Sequence, residues 1–304
     1  MRRILLPTLI TVLASGFAHA PAMRPLPFFY DLYTFRGEGG VTDIVAAFAV
    51  PAGELALEPA GEHVRYRFDV TLVLADTALR TVSRTDDSVY VELTGPLDDD
   101  DLLYTHIQVA ALPSATTLHR AIMSDATRPG VGQLYASSFG IPDYSGEQLM
   151  VSDIALGHPD ARSGWSRGAV TLALLPTSQF PASAFDVYYE IYNLPHGRPY
   201  TTEIRVERVD DENEDEQPAN LRFFGESAAS PDGTLPELRR IEASLPRGTY
   251  RIAVKITDRR SGESASRSRL FDVRGSQRAL TMVPALPHDG YPGTRSRPLP
   301  AQPR

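Results

Sequence analysis

Long stretches of this chain alternate apolar and polar residues with a period of two, the pattern of strands buried on one face. The clearest runs from Val64 to Leu74. Val64, Tyr66, Phe68, Val70, Leu72 and Leu74 share one face, while Arg65, Arg67, Asp69 and Thr71 share the other. A second lies at Tyr250 to Thr257, where Tyr250, Ile252, Val254 and Ile256 alternate with Arg251, Ala253, Lys255 and Thr257. The polar run Asp258 to Glu263, carrying Gly262, reverses the chain, and a partner strand closes at Phe271 and Val273. The same reading predicts strands at Thr42 to Val50, Leu79 to Ser83, Val89 to Leu93, Tyr104 to Leu112, Thr117 to Met123, Gln133 to Ser138 and Leu149 to Leu156. Phe185, Val187, Tyr189 and Ile191 alternate with Asp186, Tyr188, Glu190 and Tyr192, and Tyr200, Ile204 and Val206 with Glu203, Arg205 and Glu207. Strands recurring about every dozen residues, with turn signals and no long amphipathic helix between them, predict an all-β chain. The expected architecture is two antiparallel Ig-like or fibronectin-like β-sandwich domains in tandem.

The punctuation of the chain places the expected boundaries. Gly157 to Gly168, GHPDARSGWSRG, is polar and poor in strand formers. It divides an N-terminal sandwich, residues 21–160, from a C-terminal one, residues 161–275. Trp165, the single tryptophan, falls here. It is read either as an exposed recognition residue or as a wedge between the domains. Leu245-Pro246-Arg247-Gly248-Thr249-Tyr250 has the Leu-x-x-Gly-x-Tyr form of a tyrosine corner, in which a phenol caps backbone groups where the chain crosses between sheets. Phe28, Phe29, Tyr30 and Tyr33 read as a leading strand on the first sandwich, with an exposed platform for a sugar ring as the functional alternative. Residues 276–304 carry repeated prolines and few core residues, the composition of a disordered tail.

The first twenty residues stand apart. Arg2 and Arg3 precede a nearly unbroken apolar run, Ile4 to Phe17, and Ala18-His19-Ala20 fits the small-x-small rule for cleavage. The run falls short of the about 20 residues that cross a bilayer, so residues 1–20 read as a signal peptide, with no transmembrane segment. The expected location is therefore outside the cytoplasm: periplasm, cell surface or extracellular space. The chain has no cysteine, which excludes a disulfide framework, thiolate chemistry and Cys-ligated zinc. Its formal charge of −8 becomes two units more negative once Arg2 and Arg3 leave with the signal. An acidic mature chain excludes nucleic acid as the expected partner and disfavours anionic lipid.

Sequence motifs for chemistry are sparse. There is no His-Glu-x-x-His pattern, and Gly262-Glu263-Ser264-Ala265-Ser266 departs from Gly-x-Ser-x-Gly at its last position. Gly37-Glu38-Gly39-Gly40 lacks the Lys-Ser/Thr of a phosphate loop. His106 and His119 are placed to meet across adjacent strands, with Asp125 near in sequence. Two acidic loops are candidates for calcium, which takes six to eight oxygen ligands. One is Asp98 to Asp101. The other, favoured because it is longer and includes an amide, comprises Asp210, Asp211, Glu212, Asn213, Glu214, Asp215 and Glu216. Neither has an EF-hand register, and a solvated charge run is the alternative. No catalytic residue and no cofactor other than calcium is expected.

Four phrases carry a resemblance: Tyr33-Thr34-Phe35-Arg36 before the Gly-rich turn, Ser152-Asp153-Ile154-Ala155-Leu156, Val187-Tyr188-Tyr189-Glu190-Ile191-Tyr192-Asn193-Leu194, and the Leu245 to Tyr250 corner. Together they resemble exported bacterial proteins built from Ig-like sandwich modules, including those that accompany the GWxTD domain. The motif that names that domain is absent, since Gly164-Trp165 is followed by Ser166-Arg167-Gly168. The resemblance implies an architecture and an envelope location, and no catalytic residue. The expected function is a non-catalytic binding or structural module of a bacterial envelope, with another envelope protein or a glycan as partner. The alternative is a hydrolase, directed at glycans or peptides, with dispersed carboxylates.

Overall fold

The computed structural model describes residues 24–158, 164–177, 184–209, 220–229, 233–243 and 245–274. Among them the chain is built of strands that pair antiparallel, in four sheets. The first half contributes β1 (Phe29–Arg36), β2 (Thr42–Pro51), β3 (Glu58–Ala60), β4 (His63–Ala75), β5 (Thr81–Leu93), β6 (Leu102–Ala111), β7 (Ser114–Asp125) and β8 (Gly132–Ile141). The second contributes β9 (Met150–Val151), β10 (Ala155–His158), β11 (Trp165–Arg167), β12 (Val170–Leu174), β13 (Phe185–Tyr192), β14 (Pro199–Arg208), β15 (Asn220–Ala228), β16 (Thr234–Ile241), β17 (Gly248–Asp258) and β18 (Ser264–Val273).

In the first half, the sheet β1-β2-β6 faces a second sheet in which β4 pairs with β3, β5 and β7, and β7 with β8. The alternation of β4 explains the packing. Tyr66, Phe68, Val70, Leu72 and Leu74 enter a core with Ile44, Phe48, Val91, Ile107 and Met123. In the second half, β11-β12-β10-β13-β16, with β9 on β13, faces β15-β14-β17-β18. Their shared core holds Val187, Tyr189, Ile204, Val254 and Phe271. Tyr250 is fully buried there, and its hydroxyl donates to the Pro246 carbonyl at 2.9 Å, the bond expected of the tyrosine corner. The fold is an all-β sandwich architecture.

A third apolar cluster lies between the two sheet pairs and joins them. Tyr33 and Phe35 of β1 and Val45 and Ala47 of β2 meet Ala155, Trp165, Leu172 and Tyr188. The molecule is thus a stack of four sheets, and the central strands of its two inner sheets, β2 and β13, are buried on both faces. This corrects the half-buried reading of β13, in which all eight residues from Phe185 to Tyr192 are buried. Strands enclosed on both faces lose the polar side of their alternation. Trp165 is 1% exposed, stacked on Phe35 at 4.9 Å and edge-on to Tyr188 at 5.2 Å. It is the wedge, not an exposed recognition residue. Burying a side chain of this size removes about 150–250 Å² from water, worth about 4–6 kcal/mol before entropy is counted.

Other expectations shift in detail. Thr81 to Ser83 and Val89 to Leu93 belong to one thirteen-residue strand, because β5 follows β4 past a single bulge, whereas Leu79 and Arg80, expected to open the strand, lie in the turn before it. Leu149 to Leu156 is broken at the buried Ser152-Asp153-Ile154, where a one-residue change of register separates the pairing of β9 with Ile191 and Tyr192 from that of β10 with Asp186 to Tyr188 of the same strand β13. The chain also enters the second sheet pair earlier than the boundary expected near residue 160. Leu149, Val151, Ile154 and Leu156 already pack in the second core. The stretches read as a signal peptide, residues 1–20, and as a Pro-rich disordered tail, residues 276–304, lie outside the described residues.

Candidate functional site

A cluster of charged groups lies where the two sheet pairs meet. Glu190, on the interface face of β13, is 3% exposed. A buried carboxylate persists only when its lone pairs are filled, and here four donors fill them. Tyr188 Oη and Arg167 Nε donate to Oε1 at 2.7 and 2.5 Å, while Tyr192 Oη and Arg167 Nη2 donate to Oε2 at 2.6 and 3.1 Å. Arg167 crosses to the first half, where its Nη1 meets Asp43 at 2.8 Å and its Nη2 the Arg36 carbonyl at 2.5 Å. Burial works against the Arg167 cation, but Glu190 and Asp43 outweigh it and hold its pKa above the ordinary value. Burial, then the neighbouring Glu190 charge, pushes the Tyr188 and Tyr192 phenols upward, so both remain donors.

Arg36 closes the same end of the interface. Its guanidinium lies 4.2 Å from the centre of the Tyr192 ring and donates to the Tyr144 carbonyl and the Asn193 amide oxygen, each at 2.9 Å. Asn193 takes a left-handed backbone, φ 66°, which asparagine tolerates. Its amide nitrogen donates to the Gly146 and Gln148 carbonyls at 2.7 Å, tying down the loop between β8 and β9.

The other side of the interface is a groove. Its floor is Asp153, which accepts from Arg267 Nε at 2.9 Å, Arg269 Nη2 at 3.0 Å and Thr34 Oγ1 at 3.1 Å. Arg269 also pairs with Asp31 at 2.8 Å, donates to the Leu32 carbonyl at 2.8 Å, and lies 4.3 Å from the centre of the Tyr33 ring. Burial opposes this cation too, and Asp31 and Asp153 raise its pKa despite it. On one side of Asp153 and Arg267 opens a space of about 460 Å³ lined by Tyr30, Asp31, Thr34, His119 and Phe139. On the other, about 560 Å³ is lined by Arg251, Ser266, Ser268 and Arg269. Together they form an open furrow along the junction, with aromatic edges at one end and arginines and hydroxyls at the other.

The acidic groups of the groove are already engaged. Asp31 and Asp153 both line it, and Arg269 binds both. Tyr30 Oη and His119 Nε2 are 3.0 Å apart. Burial raises the phenol's pKa and lowers the imidazole's, so both groups favour their neutral forms. His119 Nδ1 is buried without a hydrogen-bond partner among the described residues, so no carboxylate orients it as a general base.

His119 and His106 do not meet. His106 is on β6, which pairs with β2, whereas His119 is on β7, which pairs with β4 and β8. The short link between β6 and β7 is a crossing between sheets, not a hairpin within one. Asp125, at the far end of β7, is taken up by the Ala56 N–H at 2.8 Å, by Arg128 Nε at 2.7 Å and by N–H groups of its own turn. Asp98 to Asp101 forms a compact turn, in which the Asp101 carboxylate caps the Asp98 N–H at 3.0 Å. No group of three metal-ligating side chains occurs among the described residues. The calcium candidates Asp210, Asp211, Glu212, Asn213, Glu214, Asp215 and Glu216 lie outside them.

Motif reading missed Asp31, Asp153, Glu190, Arg167, Arg267 and Arg269. A signal was present. Glu190 stands in the run Val187-Tyr188-Tyr189-Glu190-Ile191-Tyr192, too apolar for a strand with a wet face. A charge inside such a run must be paired.

No protein-family model matches this chain, and no curated protein matches it. Among solved structures it is similar to a Bacteroides uniformis beta-glucuronidase, with 10% identity and a TM-score of 0.27 over 77% of this chain and 26% of that one. It is also similar to red sea bream transglutaminase, with 10% identity and a TM-score of 0.23 over 82% of this chain and 31% of that one. The chain therefore spans between about a quarter and a third of the structures it matches. Nothing about activity transfers at this level of similarity.

Proposed function

We propose that this chain is a non-catalytic, exported binding or structural module of a bacterial envelope, built from Ig-like or fibronectin-like sandwiches. Its contact surface is the furrow along their junction, and its partner is an envelope glycan or another envelope protein. One observation carries the reading: the ionised groups at the floor of the furrow, Asp31, Asp153, Arg267 and Arg269, are bound to one another. They brace the junction, and the two carboxylates among them are held by Arg269 rather than free for bond cleavage. The leader at residues 1–20 and the resemblance to Ig-like envelope modules support export.

Incubation with isolated peptidoglycan, followed by sedimentation and mass analysis of the supernatant, tests the reading. Retention of the protein without released fragments is expected, weakened by Arg251→Glu, which changes the rim of the furrow rather than its brace. Released sugar or peptide fragments would establish the hydrolase instead. Fractionation of cells tests the location: a chain that stays in the cytoplasm with residues 1–20 attached contradicts export.

A further inference from the structure

Sheet edges attract other strands, and proteins guard them with charge, proline, bulges or cover. Most edges of this molecule are guarded. β5 carries Arg84, Asp86, Asp87 and Glu92, β15 carries Arg222 and Glu226, and β18 carries Arg267, Arg269 and Asp272. β16 has Pro236 and two arginines. On β1, the Leu32 carbonyl is taken by Arg269 and the Thr34 carbonyl by the Asp153 N–H. β6, which is uncharged, lies against β5.

β8 is the exception. Its sequence, GQLYASSFGI, has no charged residue and no proline over ten positions. Its beginning is closed by another segment: the Gly132 N–H donates to the Arg24 carbonyl at 2.9 Å, and the Arg24 N–H to the Gly130 carbonyl at 2.8 Å, while the Leu134 carbonyl meets the exposed side-chain amide of Gln133 at 3.4 Å. Backbone groups of alternate residues point the same way along a strand. Those of Leu134, Ala136 and Ser138 therefore point with Gly132 away from β7, and no strand among the described residues pairs with them. Leu134 is 43% exposed and Tyr135 37%.

We propose that β8 is the contact edge for a second copy of this chain, joined antiparallel about a two-fold axis through Ser137. Two considerations favour a second copy. The chain is acidic overall, with a formal charge of −8, so copies meet most readily where no like charges face each other. The free stretch is also self-complementary. With Ser137 on the axis, Ala136 and Ser138 exchange N–H···O bonds with their counterparts, Leu134 lies opposite Gly140, and Tyr135 lies opposite Phe139. That register gives two aromatic cross-strand pairs, a favoured combination. Shifting the axis to Ala136 would place Tyr135 opposite serine and require Gly132, already bonded to Arg24. The Ser137 register keeps both sheets continuous across an isologous dimer.

The absence of cysteine makes the test clean. In the proposed register the two Ser137 Cα atoms fall at a non-hydrogen-bonded site, about 4.5 Å apart, within disulfide range. Mild oxidation of the purified Ser137→Cys chain should give a covalent dimer at least about tenfold faster than Leu134→Cys, whose counterpart is Gly140. Sedimentation equilibrium should show a reversible dimer that Ala136→Lys weakens by at least about tenfold, with unchanged circular dichroism and melting temperature. A chain that stays monomeric up to about 1 mM overturns the proposal. So does a dimer indifferent to Ala136→Lys, equal cross-linking at positions 137 and 134, or an edge that takes only an extended segment of another protein.

Discussion

Glu190→Gln is the sharpest perturbation of the junction, because it changes charge while nearly preserving shape. Arg167 is bidentate to this carboxylate, Nε to Oε1 and Nη2 to Oε2. A glutamine in its place has one oxygen and one NH₂ group. Whichever way the amide is turned, one arginine N–H faces an N–H. Tyr188 and Tyr192 can rotate their hydroxyls to adapt, but a guanidinium has no acceptor. Removing one partner of a buried ion pair costs about 3–5 kcal/mol. Asp43 still compensates Arg167, and the Arg167 side chain is 21% exposed, so the lower end applies. The expected loss is about 3 kcal/mol, or about 5 °C in melting temperature for a chain of this size. Urea denaturation of Glu190→Gln and of Glu226→Gln makes the comparison. Glu226 pairs with Arg259 on the surface, with a 68% exposed side chain, and its loss should cost under about 0.5 kcal/mol. Equal midpoints for Glu190→Gln and the parent would refute the reasoning that this carboxylate holds the sheet pairs together.

Two further predictions concern a hydrogen bond and acid. Tyr250→Phe keeps the buried ring but leaves the Pro246 carbonyl without its phenol donor, and should cost about 1–3 kcal/mol; an unchanged denaturation midpoint would dismiss the tyrosine corner as a stabilising element. Burial lowers the pKa of both His106 and His119 below 6.5, so the unfolded chain binds protons that the folded chain refuses. Their contribution is complete above 6.5 and is lost as pH falls through the lowered folded values. Stability should therefore drop as pH falls below about 6.5, and His106→Gln with His119→Gln should flatten that slope. Asp125 acts lower: burial opposes its charge, but the Ala56 N–H, Arg128 and its turn hold its pKa below 3.8, so its contribution fails only below that value. A stability profile flat through the upper window in the parent chain would contradict the buried, neutral histidines.

The strands were legible wherever one face is wet. Val64 to Leu74 and Tyr250 to Ile256 alternate because one side of each meets solvent or polar neighbours, and both appear as β4 and β17. The layering was not legible, because a strand buried on both faces, such as β13, presents tyrosine and glutamate where a half-buried strand presents solvent-facing polar groups. Periodicity cannot tell these apart when the second face is lined by phenols. Short strands such as β11, three residues around Trp165, carry too little pattern to be read alone. The furrow was hidden for a different reason. Asp31, Asp153, Arg267 and Arg269 come from three distant stretches, and only the stacking of the sheets brings them together. Their individual motifs are ordinary strand and turn residues.

The central structural claim is that four stacked sheets behave as one body through the buried junction. Trp165 is the single tryptophan of the chain and lies within that junction, so its emission reports the interface alone. Far-ultraviolet circular dichroism reports the strands of both sheet pairs. Urea unfolding followed by both probes on the same samples decides the matter. Coincident transitions are expected, with the tryptophan emission shifting only as the sheets are lost. A red shift of Trp165 complete at a lower urea concentration, with the dichroism still native, would mean that the sheet pairs separate while folded and would contradict that claim.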